Sequence, residues 1–372
     1  MSSKSSFDII VVGAGPGGSV AAKEASENGY STCIIEKEHL GEEGRYKACG
    51  GAMGWELIEE IDYPEEKIER VFESLELHHV DGENFSKKGK GAIVWRSTFD
   101  KFLTDMAINS GALLKEKEAM IKLEKKNGIY EVSTNKDKYK TKYVIAADGV
   151  SSPTLKLLKW PFFKSQDVVL TITKEMKTTK SYINNILGSD SLHFFFGIKD
   201  LIPAGYAWLI PKIDIITVGW GKQIDLIKNS RIEFEKFWTL PYVKEALKNS
   251  TMENSIRAHL IPVGLRPKLY EENVFAIGDA GGIVDPITGK GIPYAMMSGQ
   301  IAIQTIKSCE SRGKLEKLGD QYKRGLDKKF LKVLKAKRIV RDKIFQNDKN
   351  LKKFLSLWEN HRSSEIIMKK LF

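Results

Sequence analysis

At 372 residues the chain is long enough for two domains, or for one domain interrupted by another. A composition of 42% hydrophobic and 29% charged residues places it among ordinary soluble globular proteins, and the absence of any uninterrupted apolar run of about 18 residues excludes an expected membrane-spanning helix. The net charge is +11, with 59 Lys+Arg against 48 Asp+Glu.

Ile9 to Val12 form a short buried β run. Gly13-Ala14-Gly15-Pro16-Gly17-Gly18 follows. Gly13 permits a sharp turn, Gly15 lets backbone approach a pyrophosphate, and Gly18 lets helix and strand pack closely. The helix that opens here directs free N–H groups and its positive end at phosphates. The next strand ends Cys33-Ile34-Ile35, and Glu36 stands 18 residues beyond Gly18. That is close to the ~20-residue spacing at which an acid takes ribose hydroxyls. Residues 7–37 therefore predict a β-α-β dinucleotide-binding unit; the plainer alternative is a glycine-rich turn in some other α/β domain.

Residues 38–55 are a glycine-rich connection containing Lys47-Ala48-Cys49-Gly50-Gly51-Ala52. Trp55 to Ile61 predict a helix, and 75–95 alternate as strands. Arg96 to Ser110 predict a helix with Phe99, Phe102, Leu103 and Met106 on one face. Residues 112–147 read as strands, with turns at Asn127-Gly128 and near Asn135 to Lys138, ending at Val144-Ile145-Ala146-Ala147-Asp148-Gly149. Val168 to Ile172, Leu192 to Phe196, Ala207 to Ile210 and Ile215 to Trp220 are separate strands of an inserted antiparallel sheet, with a short turn at Ile213-Asp214. Residues 230–248 are helical, and the chain returns to the first domain around Arg257. From Leu315 onward the pattern is helical, with Phe330, Val333, Leu334 and Val340 roughly at helical spacing. There is no internal repeat. The expected division is 1–74, 96–164 and 255–310 for the nucleotide domain, 75–95 and 165–254 for the substrate domain, and 311–372 for a basic helical C-terminal region.

A second glycine-rich segment lies far from the first. The strand Val274 to Ile277 leads into Gly278-Asp279, and Pro286, Thr288, Gly289 and Gly291 place a loop before a helix running from Ile292 through Ala302. An acid at Asp279 accepts hydrogen bonds from flavin ribityl hydroxyls. The helix N-terminus faces the flavin N1/C2 edge, where two-electron reduction puts negative charge, and Gly289 and Gly291 let backbone approach the ring. The two segments together point to FAD.

Four further stretches carry a family signature: Arg96-Ser97-Thr98-Phe99-Asp100, Ala147-Asp148-Gly149, Lys47-Ala48-Cys49-Gly50-Gly51, and Pro203-Ala204-Gly205-Tyr206-Ala207-Trp208-Leu209-Ile210-Pro211. With them the chain resembles the geranylgeranyl reductase family of FAD enzymes, within the wider p-hydroxybenzoate-hydroxylase-like group, over roughly residues 7–310. The resemblance implies an α/β fold: a Rossmann-like FAD-binding domain of the p-hydroxybenzoate hydroxylase type, an inserted antiparallel β-sheet substrate domain and a helical C-terminal tail. It implies FAD contacts from Gly13, Ala14, Gly15, Pro16, Gly18, Glu36, Lys37, Arg96, Met120, Asp148, Gly149, Asp279, Gly289, Gly291 and Ile292, and from Cys49, Gly50 and Ala52 beside the isoalloxazine. Ile210 stands where the family has phenylalanine, which bears on the shape of the lipid channel.

The implied activity is reduction of isolated C=C bonds in polyprenyl chains of ether lipids, chlorophyll or quinones, by hydride from reduced flavin N5 plus a proton, in an apolar tunnel that excludes water. Cys49, Tyr206 and Trp208 are the implied catalytic set. Tyr206 and Trp208, two apart on a strand, share a face; core packing of an aromatic strand explains the same spacing. Cys49 either places or protonates the substrate, or is a small residue that fits against the ring. The runner-up is an aromatic monooxygenase or halogenase on the same fold, and a third reading is a lipid-binding or redox partner that keeps FAD without turnover. No second glycine-rich nucleotide motif is present, so the donor is NAD(P)H visiting transiently or a reduced ferredoxin. His78, His79, His193 and His259 are scattered and receive no role.

Charge is concentrated at the end of the chain. Arg312 to Phe372 hold 19 Lys+Arg against 7 Asp+Glu, a net +12, so the rest of the chain is near −1. Such a tail suits an anionic membrane surface; no nucleic-acid module is visible, and well-solvated lysine-rich helices are the plainer explanation. Cys33, Cys49 and Cys309 are too few for a disulfide framework and lack metal-ligand spacing, so no metal is expected. Met1-Ser2-Ser3-Lys4-Ser5-Ser6 runs straight into the first strand and leaves no room for a signal peptide. The expected location is the cytoplasm, with peripheral contact on the inner face of the cell membrane.

Overall fold

The computed structural model describes residues 5–42, 44, 46–197 and 204–360. The chain divides into two units, one built from Met1–Tyr46, Ser97–Asp167 and Ile261–Arg338, the other from Lys47–Arg96, Val168–Leu260 and Ile339–Phe372.

The first unit is organised by the strand Ser6–Val12. Both of its faces are apolar, as a central parallel strand requires. It pairs in parallel with Thr32–Ile35 on one side and Lys138–Ala146 on the other. Val274–Ala276 adds beyond Lys138–Ala146, and Leu113–Lys115 beyond Thr32–Ile35, again in parallel. On one face Ile9, Val11 and Ile34 pack with Ala21, Ala22 and Ala25 of the helix Pro16–Glu27 and with Ala302 and Ile306 of the helix Ile292–Ser311. On the other, Ile10, Val12, Cys33 and Ile35 pack with Met120, Leu123, Tyr130 and Val132 of the hairpin Met120–Lys126 and Ile129–Thr134.

Two details differ from the sequence expectation. The buried face of the helix Arg96–Asn109 is Phe99, Leu103 and Ala107, with Phe102 and Met106 only half-buried. Thr104, on the buried side, is hydrogen-bonded to Ser19 at 2.9 Å. In the C-terminal helices Phe330, Leu331 and Leu334 are buried while Val333 is exposed. A π-helical turn over Asp327–Leu331 rotates the face there, because an i→i+5 turn carries an extra residue.

The second unit is a nine-stranded sheet in which Thr251–Met252, Val168–Lys177, Ile215–Gln223, Tyr206–Pro211, Ser191–Phe196, Ile68–His79, Asn84–Val94 and Ala52–Gly54 succeed one another. In that succession of strands neighbours are antiparallel apart from Ser191–Phe196 with Ile68–His79, which are parallel. The hairpin Ile68–His79 and Asn84–Val94, earlier in the chain, thus joins the insertion as one sheet. The strand Arg257–Pro262 still pairs with Val168–Lys177, so the chain rejoins the first unit at Ile261, later than the expected Arg257. The helical stretch 230–248 is two helices, Ser230–Trp238 and Pro241–Leu247, because proline suits a helix start and not its interior.

One face of this sheet is covered by helices, where Ala207, Leu209, Val218 and Trp220 pack with Ile183, Phe234, Phe237 and Val243. Two of the scattered histidines meet in this unit. His193 Nε2 lies 2.8 Å from the Leu187 carbonyl, and His193 Nδ1 lies 2.9 Å from His78 Nε2. A carbonyl only accepts, so Nε2 of His193 carries the proton and Nδ1 is an acceptor, with the Tyr242 hydroxyl 3.2 Å away as its donor. Burial pushes the His193 imidazole from 6.5 down to about 4. Between pH 6.5 and 4 the unfolded chain therefore binds a proton that the folded chain does not, and stability falls as pH falls through that window. Urea unfolding at pH 6.5 and 5 is expected to show a loss about 2 kcal/mol larger than in His193→Gln; equal losses in the two proteins exclude the imidazole as the cause.

Candidate active site

The first unit brings the two distant glycine-rich segments together. Gly13 has φ +103°, and a Cβ there would lie 2.5 Å from the Ala147 carbonyl oxygen. At Gly18 a Cβ would lie 2.0 Å from the Gly13 carbonyl oxygen. The helix Pro16–Glu27 touches the helix Ile292–Ser311 through small residues: a Cβ on Gly17 would meet the Ala295 backbone at 2.9 Å, and one on Gly299 would meet Gly17 O at 2.6 Å. Close crossing of these helices sets their N-termini side by side. Both start at a glycine, Gly15 and Gly291, with no side-chain cap. A Cβ on Gly15 meets nothing within 4 Å. The neighbouring glycines are thus needed by the fold itself, while Gly15 faces open space at an uncapped helix start, which fits a pyrophosphate.

Glu36 stands beside the glycine turn. Its carboxylate is buried and accepts from the Ala14 N–H at 2.8 Å and the Glu38 N–H at 3.0 Å. Lys37 next to it is exposed, and Met120 lies in the apolar layer with Cys33 and Ile35. Asp148 is beside the Gly13 turn, where a Cβ on Gly13 would be 3.1 Å from its Cα. Its carboxylate, however, takes Ser152 Oγ at 2.5 Å and the Thr154 N–H at 2.8 Å, capping the short helix Pro153–Leu157. Burial pushes this carboxyl up, against those hydrogen bonds. The part of Asp148-Gly149 that borders the glycine turn is therefore backbone.

At the second segment Asp279 is half-buried, and a Cβ on Gly291 would sit 3.4 Å from its Oδ1. The loop to Gly289 is held by Asp285, which accepts from the Ile287 and Thr288 N–H groups and from Lys337 Nζ at 2.5 Å. Arg266, which the sequence did not single out, fastens this region: its guanidinium donates to the carbonyls of Ala280 at 2.6 Å, Pro161 at 2.8 Å and Val150 at 3.0 Å.

The second unit holds the remaining residues. Tyr206, Trp208 and Ile210 lie on one face of their strand, Tyr206 and Trp208 with ring centroids 5.8 Å apart. With Phe72, Ile93, Leu192 and Phe194 they form an apolar wall on the face opposite the helices. The Trp208 indole lies across Gly219, where a Cβ would fall inside the ring system at 1.9 Å, and its Nε1 is a buried N–H without a partner among the described residues. Ile210, the departure from the family's phenylalanine, has its Cδ1 2.2 Å from a Cβ built on Gly50. Cys49 is thus at the end of the wall, its Sγ accepting from the Gly51 N–H at 3.4 Å. Ala52 is exposed on the strand Ala52–Gly54, and Arg96 is buried at the start of its helix. Pro203 lies outside the described residues.

Immediately beyond the wall lies a polar group that sequence reasoning missed. Lys212 is fully buried. Its Nζ bonds to Thr217 Oγ1, which donates to Glu175 Oε2 at 2.6 Å, and it stands 4.0 Å from the Trp95 ring centroid. The available signal was strand alternation, which puts Lys212 in phase with Trp208 and Ile210.

Residues 7–173 match the family model described as pyridine nucleotide-disulphide oxidoreductase. The digeranylgeranylglycerophospholipid reductase of Methanococcus vannielii is 32% identical over 88% of this chain and 84% of its own length. That of Methanocaldococcus jannaschii is 33% identical over 81% of this chain and 78% of its own length. The chain belongs to the digeranylgeranylglycerophospholipid reductase family. Among solved structures, a geranylgeranyl bacteriochlorophyll reductase-like protein of Thermoplasma acidophilum superposes with TM-score 0.85 at 24% identity, covering 98% of this chain and 96% of its own. A flavin-dependent brominase superposes with TM-score 0.74 at 17% identity, covering 98% of each chain. At those identities the likeness is one of fold, shared by reductases and halogenases. For this reductase the cofactor is FAD, and the two uncapped helix starts and the open space at Gly15 fit such a group. Among the described residues no helix is long and apolar enough to cross a membrane, and no cluster of His, Cys, Asp or Glu is placed to hold a metal.

Proposed function

We propose that this reductase adds hydrogen across the isolated C=C bonds of geranylgeranyl chains on an ether-type glycerophospholipid. The observation that carries this reading is the apolar wall of Phe194, Tyr206, Trp208 and Ile210 ending at a thiol. A prenyl chain offers only hydrocarbon and π-faces near the reacting bond, and an aromatic wall binds it while excluding water. A polar aromatic substrate would call for hydrogen-bonding groups here.

Gly13 to Gly18, Glu36, Arg96, Asp279 and Gly289 to Ile292 would hold FAD, which when bound and reduced would supply the hydride for one alkene carbon. The protein's own task is to deliver a proton to the neighbouring carbon, and Cys49 is our candidate donor, because it carries a removable proton at the edge of the wall. Tyr206 and Trp208 hold the chain flat. The reductant in this proposal is NAD(P)H or a reduced ferredoxin.

Peripheral membrane contact rests on a narrower surface than the whole C-terminal region. Lys337 is taken up by Asp285, Arg338 by Asp167, Arg341 by Gln223 and the Ala204 carbonyl, and Lys352 by Glu83. Lys323, Arg324, Lys328, Lys329 and Lys332 are exposed along one helical stretch, and we assign the contact with anionic headgroups to them.

The deciding experiment is anaerobic. Dithionite-reduced holoenzyme is mixed with digeranylgeranylglycerophospholipid, and the flavin band is followed together with the lipid mass. Return of the oxidised band with a gain of two hydrogens per bond is the expected result. A flavin that stays reduced until O₂ is admitted rejects the reading and turns the search to oxygen-dependent hydroxylation or halogenation.

A further inference from the structure

Lys212 is a costly residue to keep. Its side chain is 1% exposed and that of Glu175 is 2% exposed, with Nζ and Oε2 3.7 Å apart. Burying such a pair costs more than a hydrocarbon of the same size, so the fold alone does not call for it. The connecting atom is the Thr217 hydroxyl. Because it donates to Glu175, it accepts from Lys212, and the three groups form one directed chain from ammonium through hydroxyl to carboxylate.

The place of this chain is set by the loop that carries Cys49. On one side Ile210 packs onto Gly50; on the other the Val94 N–H donates to the Gly51 carbonyl at 3.0 Å. The residues just beyond these two clamps are Lys212 and Trp95, which contact each other. The Cys49 loop is therefore gripped by the two strand ends that hold the buried ammonium. Arg70, on the strand Ile68–His79, fixes the same corner by donating to the Lys212 carbonyl at 2.9 and 3.2 Å. The titratable groups whose charge bears on the Lys212 ammonium are Glu175, Cys49 and Glu69. Burial lowers the Lys212 ammonium from its usual range, and Glu175 and then Cys49 oppose that. An ammonium so placed gives up a proton more readily than one in water.

We propose that Lys212 is a positioning residue for Cys49, whose ammonium orients the thiol and returns its proton after each alkene reduction, with Thr217 and Glu175 as the path of resupply. This rests on Cys49 being the proton donor. In the step, the alkene accepts a hydride on one carbon while the Cys49 S–H bond breaks and its proton bonds to the next carbon. An N–H bond of Lys212 then breaks, the S–H bond re-forms, and a neutral amine is left. A solvent proton passing by Glu175 and Thr217 restores the ammonium. The relay moves protons only, so no further oxidant or reductant enters.

The test uses the full-length holoenzyme with Lys212→Met and Glu175→Gln, each checked for an unchanged thermal midpoint. The first readout is alkylation of Cys49 by iodoacetamide at pH 7.5, mapped by mass spectrometry; Cys33 and Cys309 are buried and report any unfolding. Loss of the ammonium is expected to slow Cys49 alkylation about tenfold, and loss of the carboxylate to speed it, since the two charges act on the thiolate with opposite sign. The second readout is anaerobic alkene reduction, expected at least about tenfold slower in Lys212→Met with unchanged KM and a larger solvent deuterium isotope effect. Unchanged alkylation in both variants, or shifts of the same sign, overturns the proposal. If Lys212→Met does not fold, Glu175→Gln decides alone by the sign of its shift. If the wild-type protein reduces no geranylgeranyl lipid, the proposed function has failed, and the alkylation arm still reports whether Lys212 governs the thiol.

Discussion

Cys49→Ala is expected to retain FAD and to reduce geranylgeranyl lipid at least about 100-fold more slowly than the wild type, the usual worth of a general acid. Among the described residues the thiol takes part in one hydrogen bond, a weak one from the Gly51 N–H at 3.4 Å. Its removal leaves the packing of Ile210 on Gly50 and the Val94–Gly51 hydrogen bond in place. The residues proposed to hold the nucleotide are unaltered, so the purified variant is expected to stay yellow. Stopped-flow reoxidation of the dithionite-reduced variant by lipid, without O₂, is the measurement. A rate within twofold of wild type would remove Cys49 from the chemistry and return it to the role of a small residue that fits its place. Cys49→Ser separates acid from size, since the hydroxyl fits but is a weaker acid.

Gly18→Ala is expected to give protein without FAD, and Gly15→Ala protein that folds normally but binds FAD at least about tenfold more weakly, a loss of about 1.4 kcal/mol. The contrast follows from what each methyl group meets. At Gly18 it would lie 2.0 Å from the Gly13 carbonyl oxygen. Backbone cannot give way there without pulling the helix start off the turn, and overpacking of this kind costs several kcal/mol. At Gly15 nothing stands within 4 Å, so the methyl enters the space the pyrophosphate needs and the bare fold is indifferent. Flavin content per protein and thermal midpoints, measured with and without added FAD, check both. Full flavin occupancy in Gly18→Ala, or an unchanged FAD affinity in Gly15→Ala, would show that the phosphates are held elsewhere.

Much of the nucleotide side was legible in the sequence because its requirements are local. A turn too tight for a side chain, a helix start without a cap and an acid at the end of the next strand are each written within a few residues. Gly13, Gly15, Gly18 and Glu36 occupy those places in the fold. Asp148 shows where such reading stops. The Asp-Gly pair does reach the glycine turn, but its carboxylate is turned to Ser152 and Thr154, a choice made by the short helix that follows. The face of the helix Arg96–Asn109 was misjudged for a related reason. Phe102 and Met106 are as apolar as Phe99 and Leu103, and only the layer beneath the helix selects the row that includes Ala107.

By itself the sequence determined the cofactor class, the two glycine-rich turns, the strand that carries Tyr206, Trp208 and Ile210, and the family to which the chain belongs. Tertiary structure alone decided the rest. Strand register joined Lys212 to Thr217 and Glu175, and His78 to His193. Helix crossing set Gly17 against Ala295. Folding also consumed part of the basic C-terminal charge in pairs such as Lys337–Asp285 and Arg338–Asp167. The physical reason is range. Backbone conformation, capping and periodic burial depend on near neighbours in the chain, and leave a trace there. The partner of a buried charge depends on which strands and helices are brought into contact, and a lysine looks the same in sequence whether it ends in water or beside a buried carboxylate.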